Sequence, residues 1–317
     1  MAKKRPLTSA EVRKRLAHPI IDADGHLLEV GPVLMDYLRH ASCPPQHPRQ
    51  TVAGPVMYAS STFLSELKMS SPHVAADGVR RLSSNPYPGR GIVVGVNSIG
   101  TAAIQVYWIM GRSENSRSRV MRREGNAIKV EPLGGTSLAG AELLIYTAML
   151  QVGKRHVVSN GDQTDTIANA LAAGRTFGSG MLSRQHEPDA PHYTPRIAGM
   201  VEIGLGGEDE PARPIFRLAK ITSDPADGTQ SVHGFYSFTR LAPGAGMCIH
   251  TYAGDGNPLP SFREDPFPVP LSAGVDDIAG TYWETLNVNN RVALVVKAID
   301  IATGAVQSKI LNRHKPA

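Results

Sequence analysis

Ile92-Val-Val-Gly-Val-Asn-Ser-Ile-Gly-Thr-Ala-Ala-Ile-Gln-Val-Tyr-Trp-Ile-Met110 decides the fold. Two runs rich in β-branched and aromatic residues, Ile92–Val96 and Ala102–Met110, flank the turn residues Asn97-Ser-Ile-Gly100. That is the pattern of an antiparallel hairpin. The pattern repeats downstream. Asn126–Val130 reads as a short strand, Glu142–Leu150 and Arg155–Ser159 as a hairpin across Gly153, and Val292–Ala302 and Val306–Leu311 as a closing hairpin over Thr303-Gly304. Further strands are expected at Ile197–Ile203, Ile215–Thr222, Val232–Leu241 and Met247–Tyr252. Helices are fewer: Thr164–Ala173, with Asp162 or Thr164 as cap and Gly174 as stop, and Asp276–Leu286. Many hairpins with a few helices imply an α+β protein whose sheets are covered by those helices. The content of Gly 31 and Pro 24 in 317 residues agrees, since it favours turns and short strands.

Composition removes several classes. At 41% hydrophobic and 19% charged, the chain is ordinary for a soluble globular protein. No apolar run approaches a membrane span, and Met1-Ala-Lys-Lys-Arg5 lacks the apolar core of a secretory signal. Two cysteines, Cys43 and Cys248, build neither a disulfide framework nor a cysteine zinc site. The cytoplasm is the location this implies. Of the net charge of +5, residues 1–50 carry +3, from eight Lys/Arg against five Asp/Glu. The remainder is nearly balanced and its aromatics are scattered, which speaks against a nucleic-acid partner.

Four polar segments are candidates for chemistry. The first follows the hairpin: Arg112, Arg117 and Arg119 stand among Ser113, Asn115, Ser116 and Ser118. Guanidinium forks match phosphate and carboxylate, and the serines add donors; an exposed turn has the same composition. The second, Ser159-Asn-Gly-Asp-Gln-Thr-Asp165, joins a strand to a helix start, where free N–H groups with Ser159, Asn160, Asp162, Thr164 and Asp165 make an anion or ribose cradle, or an ordinary capped turn. The third, Glu187-Pro-Asp-Ala-Pro-His-Tyr-Thr-Pro-Arg196, is stiffened by proline and holds Glu187, Asp189 and Arg196. In the fourth, strand alternation puts Cys248, His250 and Tyr252 on one face before a Gly/Pro loop with Asp255 and Asn257. A strand histidine is more often structural than acid or base, and nothing marks the Cys248 thiol as activated.

Taken in order, Asn85-Pro-Tyr-Pro-Gly-Arg-Gly-Ile-Val-Val-Gly95, Tyr107–Arg119, Ser159–Asp165, Thr194-Pro-Arg-Ile197 and His250–Ser261 resemble the stand-alone, archaeal-type IMP cyclohydrolase family in its bacterial branch, over residues 69–314. The resemblance implies a four-layer αββα sandwich similar to N-terminal-nucleophile hydrolases, without self-processing. No Cys, Ser or Thr begins the strand after Pro86-Tyr-Pro-Gly-Arg90, in agreement. It implies dehydrative ring closure of the formamido-imidazole-carboxamide ribonucleotide to IMP, with no metal and no organic cofactor. The family's catalytic arginine falls on Arg117, its tyrosine on Tyr146 and its acidic residue on Glu187. The loop is one residue longer than in the archaeal pattern, which leaves Glu187 and Asp189 as alternatives. Substrate binding falls to Arg112, Ser113, Ser159, Asn160, Asp162, Thr164, Asp165, Arg196 and His250. A homo-oligomer is compatible with the sequence, as is a nucleotide-binding protein that kept the pocket without turnover.

Residues 18–40 resemble instead the opening of a metal-dependent amidohydrolase barrel, with Asp24 and His26 as the metal-binding pair. The other barrel strands are absent, and two ligands make a poor site. The expected organisation is therefore an irregular, weakly packed extension over 1–68, a fusion remnant or misplaced start with Met69 as the natural beginning, followed by a catalytic domain over 69–317. A metal hydrolase built on Asp24 and His26 is the third reading.

Overall fold

The computed structural model describes residues 56–59, 72–135, 145–204 and 213–314. The readings at residues 18–40, including Asp24 and His26, lie outside them. So does the 1–68 extension apart from β1 (Val56–Ala59), a strand that pairs parallel to β10 (Ser231–Phe238).

Two largely antiparallel sheets with few helices make up the fold, in keeping with the α+β reading. The founding hairpin is β2 (Gly91–Val96) and β3 (Ala102–Met110), paired across the expected turn at Asn97–Gly100. It sits at the centre of a six-stranded sheet in the order β12-β11-β2-β3-β13-β14, with β11 (Ala245–His250), β12 (Phe267–Pro270), β13 (Arg291–Asp300) and β14 (Val306–Asn312). The second sheet runs β1-β10-β9-β8-β7-β6-β5-β4. Its members are β4 (Arg119–Glu124), β5 (Ala127–Pro132), β6 (Tyr146–Val152), β7 (Arg155–Ser159), β8 (Arg196–Ile203) and β9 (Pro214–Ser223), with β10 and β1. All described pairings except β1 with β10 are antiparallel.

Strand alternation sorts the side chains into layers. In β8, Ile197 and Val201 join the core shared with Ile92, Val94 and Leu294, whereas Ala198 and Met200 face the other way. That outer face is covered by α3 (Gln163–Ala172) and α4 (Phe177–Leu182), through Ile167, Leu171, Phe177 and Met181. The six-stranded sheet is covered by α1 (Pro72–Ser84) against β12 and by α5 (Val275–Thr285) against β13 and β14. Trp108 stacks on Tyr282 of α5, with centroids 6.3 Å apart, and is fully buried; truncating it to Ala costs about 3–5 kcal/mol. α2 (Glu114–Arg117) is a single turn that joins β3 of the six-stranded sheet to β4 of the eight-stranded one.

Several elements depart from the sequence reading. β4 carries Arg122, Arg123 and Glu124 outward, so its sequence looks like a loop although its first three residues are buried. β12 is Phe-Pro-Val-Pro; it lies at a sheet edge, where proline's missing donor is tolerated. Neither Asp162 nor Thr164 caps α3 with its side chain: Asp162 is drawn to Arg196 and Arg184, and Thr164 bonds Ser159.

The hairpin turns at 97–100, 125 and 153, with 303–304, mark one end of the strands. The other end brings together Gly91, Tyr107, Tyr146, Ser159, Arg196 and His250, drawn from both sheets.

Candidate active site

Arg90 enters that end between two glycines. Gly89 has φ +73°, and a Cβ on it would lie 2.3 Å from Thr251 Oγ1 and 2.5 Å from the Tyr252 ring. A Cβ on Gly91 would lie 1.9 Å from the Trp108 ring. The Pro-Gly-Arg-Gly run thus lets the backbone pass close to Thr251 and Tyr252 and to Trp108 of β3, with the Arg90 guanidinium buried among Tyr252, Glu187, Tyr146 and Tyr87. Burial by itself would lower the Arg90 pKa, but Tyr252, Glu187, Tyr146 and Tyr87 around it raise it above the ordinary arginine value. Its Nε is buried without a hydrogen-bond partner.

Tyr107 of β3 and Tyr146 of β6 meet across the two sheets, hydroxyl to hydroxyl, at 2.6 Å. Both are buried. Burial and then Tyr146 push the Tyr107 phenol well above its ordinary pKa, against the pull of Arg90 and Arg119. Arg119, the first residue of β4, is 1% exposed and lies in the same field. Its Nε donates to Ser116 O at 2.8 Å and one Nη to Met110 O at 3.4 Å; the other Nη has no partner. Burial and the nearby Arg90 lower the Arg119 pKa. Two like charges in one buried place favour an anion there.

Glu187 is 3% exposed and reaches this cluster from the stiff loop before β8. Burial raises its carboxyl to about 7, although Arg90 and Arg196 pull it down. A carboxyl there is partly protonated near neutrality and can both give and take a proton. The neighbouring Asp189 is spent on the loop itself. It accepts from the Thr194 N–H at 2.6 Å and from the Thr194 hydroxyl, which also bonds Tyr252 OH at 2.7 Å. Glu187 N–H donates to Thr194 O at 3.0 Å and closes the turn.

Arg196 opens β8 with one Nη donating to Asp162 Oδ1 at 2.6 Å and to Gln163 Oε1 at 2.7 Å, while its Nε is buried without a partner. Arg90, Arg119 and Arg196 therefore each keep one buried, unbonded donor nitrogen around the Glu187 carboxyl and the tyrosine pair. The arrangement can hold an oxyanion and exchange protons beside it. Among the described residues, no three His, Cys, Asp or Glu side chains converge as a metal site, and no helix is long and apolar enough to cross a membrane.

The family described as IMP cyclohydrolase-like protein matches residues 87–304, more than half of the 317 residues. The chain belongs to this family. It is similar to the IMP cyclohydrolase of Methanopyrus kandleri, with 31% identity over 185 residues, 56% of this chain and 89% of that protein. It is also similar to the IMP cyclohydrolase of Haloquadratum walsbyi, with 29% identity over 119 residues, covering 36% of this chain and 56% of that relative's length.

The other residues expected in the site of this family member are placed as follows. Arg117 turns to a corner of the six-stranded sheet, where Nε donates to Gly111 O at 3.0 Å and an Nη to Asn290 Oδ1 at 3.2 Å. Arg112 lies at the rim, 5.0 Å from the Tyr87 ring centroid, paired with Asp255; Tyr87 in turn stacks on Tyr252 at 5.8 Å. Ser113 caps α2 by accepting from Ser116 N–H. Ser159 and Thr164 bond each other at 2.6 Å, and Asn160 bonds Pro195 O, Ile197 N–H and Gln163. These three buried side chains hold the strand-to-helix turn against β8. Asp162 stays half-exposed; burial would raise its pKa, but Arg196 and Arg184 hold it below the ordinary value. Asp165 is exposed on α3, its pKa raised by burial and by Asp162. His250 is buried 4.1 Å from the Phe262 ring, and burial lowers its pKa to about 3, so it is neutral.

Sequence reading did not assign Arg90 or Tyr107 to the site, and it placed Arg119 and Tyr252 in candidate segments without giving either a role in the reaction. Signals were present: an arginine boxed by two glycines, a tyrosine within a largely apolar buried strand, and an arginine opening the next one.

Proposed function

We propose that this protein closes the purine ring of the formamido-imidazole-carboxamide ribonucleotide, giving IMP and water. The observation that carries the reading is the Glu187 carboxyl, held near pKa 7 beside Arg90 and Arg196, with Arg90 also facing Tyr146, whose hydroxyl meets that of Tyr107 in the field of Arg119. The reaction needs a carboxamide nitrogen to attack a formyl carbon. That nitrogen gives up one proton, and the formyl oxygen becomes a hydroxyl. The formamido nitrogen then loses its proton as the C=N bond forms and water departs.

Glu187 and Tyr146 carry these protons, with Tyr107 fixing the Tyr146 hydroxyl. Arg119 and Arg90 direct free donors toward charge developing on the formyl oxygen, a role in which one donor is worth about 3–4 kcal/mol. Arg117 stands behind them at the Gly111 corner, and Arg112 and Arg196 hold phosphate and ribose, with the Ser159–Asp165 turn fixing Arg196 through Asp162 and Gln163. Holding the two arms of one molecule in near-attack geometry supplies a further share of the acceleration. The chemistry requires neither metal nor organic cofactor. The two stacked sheets fit the likeness to N-terminal-nucleophile hydrolases, and the cytoplasm, where purine nucleotides are made, is the location we assign. No residue of 1–68 is assigned a role in this chemistry, and a homo-oligomer is compatible with it.

The test is direct. Purified protein is mixed with the formamido ribonucleotide and IMP absorbance is followed. Turnover supports the reading; saturable binding of the ribonucleotide without turnover would make the protein a purine-nucleotide-binding member that has lost the chemistry.

A further inference from the structure

At the opposite end of the strands, the space between the sheets holds a second polar cluster. Gln105 and Lys297 are cross-strand partners of β3 and β13, so their side chains share a face. Gln105 donates to His156 O of β7 at 2.8 Å, which shows that this face looks into the other sheet. Lys297 is 4% exposed, and no carboxylate among the described residues pairs with it. The contrast with Lys220 is informative. Lys220 is buried to a similar degree, but its ammonium is held by the carbonyls of Arg263 and Glu264.

Lys297 opens instead into a cavity of about 160 Å³, walled by Arg123, Asn126, Gln151 and Ser308 with apolar Ile128 and Val306. Gln151 also borders a neighbouring cavity of about 320 Å³ that takes in Lys154, His156 and Thr303. A water occupies about 30 Å³ in the liquid, so the smaller space admits a compact oxyanion. The charged side chains lining both cavities, Arg123, Lys154 and Lys297, are all cationic. Deeper in, Gln105 Oε1 and His156 Nδ1 are buried without partners. Burial and Arg123 lower the Lys297 pKa to about 8, and burial and Lys297 lower that of His156 to about 3, so lysine is the buried charge and histidine is neutral. An unpaired buried cation is costly, and an anion in reach offsets that cost.

We propose that this cleft is a second ligand site, binding a small oxyanion of the phosphate or carboxylate class, with Lys297 as its buried counter-charge and Arg123 as a second cation at the mouth. It is separated from the Glu187 cluster by the length of the strands and serves no step of the ring closure. A bound anion there ties the β4–β5 turn, β13 and β14 together through Asn126, Lys297 and Ser308.

The experiment reads Lys297 itself. In full-length protein labelled with ¹³C at lysine Cε, the Lys297 signal is assigned by its loss in Lys297→Met. Inorganic phosphate and ribose 5-phosphate are titrated separately at constant ionic strength. The signal is expected to move saturably with at least one, and the tighter of the two tells free phosphate from a phosphate ester. Arg123→Gln, a change at an exposed side chain, is expected to weaken binding by about tenfold, the equivalent of about 1.4 kcal/mol. A Lys297 signal that stays fixed, or drifts without saturating, with both titrants overturns the site. Unchanged affinity in Arg123→Gln overturns the two-cation form proposed.

Discussion

The hydroxyls of Tyr107 and Tyr146 lie 2.6 Å apart, one supplied by each sheet, and they join the two halves of the sandwich at the candidate active site. A buried hydroxyl stripped of its partner costs about 1–3 kcal/mol, whereas removing both partners of a pair together is nearly neutral. Tyr107→Phe and Tyr146→Phe are therefore each expected to destabilise the protein in urea unfolding, and the double variant to recover most of that loss. Turnover separates their roles. Tyr146→Phe is expected to lower kcat by about 10²-fold to 10⁴-fold, as for loss of a proton-transfer group, with a smaller effect in Tyr107→Phe. Equal, small losses in both would remove the pair from the chemistry.

Glu187 couples activity to stability through pH. Its carboxyl, raised from 4.5 to about 7, binds a proton more tightly in the folded chain than in the unfolded one. Folding is thus favoured at low pH, and stability falls as pH rises from the unfolded value through about 7. The full cost, roughly 3 kcal/mol, is present above that range. Glu187→Gln is expected to match wild type near pH 4 and to be more stable at pH 8, while losing turnover and the limb of the pH–rate profile near neutrality. A variant no more stable than wild type in alkaline buffer would show that the carboxylate is not desolvated.

The sheet framework was legible because strands rich in β-branched and aromatic residues lie between glycine-bearing turns. Ala102–Met110 and Arg155–Ser159 fall where the pattern puts them. β4 escaped because only its first three side chains are buried while Arg122, Arg123 and Glu124 reach outward. The site was half legible. Tyr146 and Glu187 come from the family resemblance rather than from pattern, and the arginine segment offers three candidates two or more residues apart. Which one turns inward depends on the single turn of α2, whose phase no propensity fixes. Likewise the Ser159–Asp165 turn shows how hydroxyl and amide residues that suit a ligand cradle equally suit a self-satisfied corner.

The N-terminal division can be tested on the same assay. Tyr146, Glu187 and Arg90 all lie beyond Met69, and β1 is an edge strand paired only with β10 among the described residues. A chain beginning at Met69 is expected to retain kcat with a lowered Tm, since it exposes the β10 edge. If that chain fails to fold, or folds without turnover, the first 68 residues belong to the catalytic unit.

Arg119 and Arg117 make the sharpest contrast because they are two residues apart and placed oppositely. Arg119 is buried beside Arg90, Tyr107 and Tyr146 with a free Nη, whereas Arg117 spends its guanidinium on Gly111 O and Asn290. Arg119→Lys keeps the charge but loses the fork, and is expected to lower kcat about 10²-fold to 10³-fold, the loss seen when one preorganised donor is removed. Its KM is expected to change less, because the contact strengthens only as charge builds on the formyl oxygen. Arg117→Gln gives up two hydrogen bonds at a corner, so its unfolding free energy is expected to drop by about 1 kcal/mol with kcat close to wild type. The reverse result, with Arg117→Gln inactive while folded and Arg119→Lys active, would return the charge-stabilising role to Arg117. It would also mean that the Gly111–Asn290 corner rearranges when substrate binds.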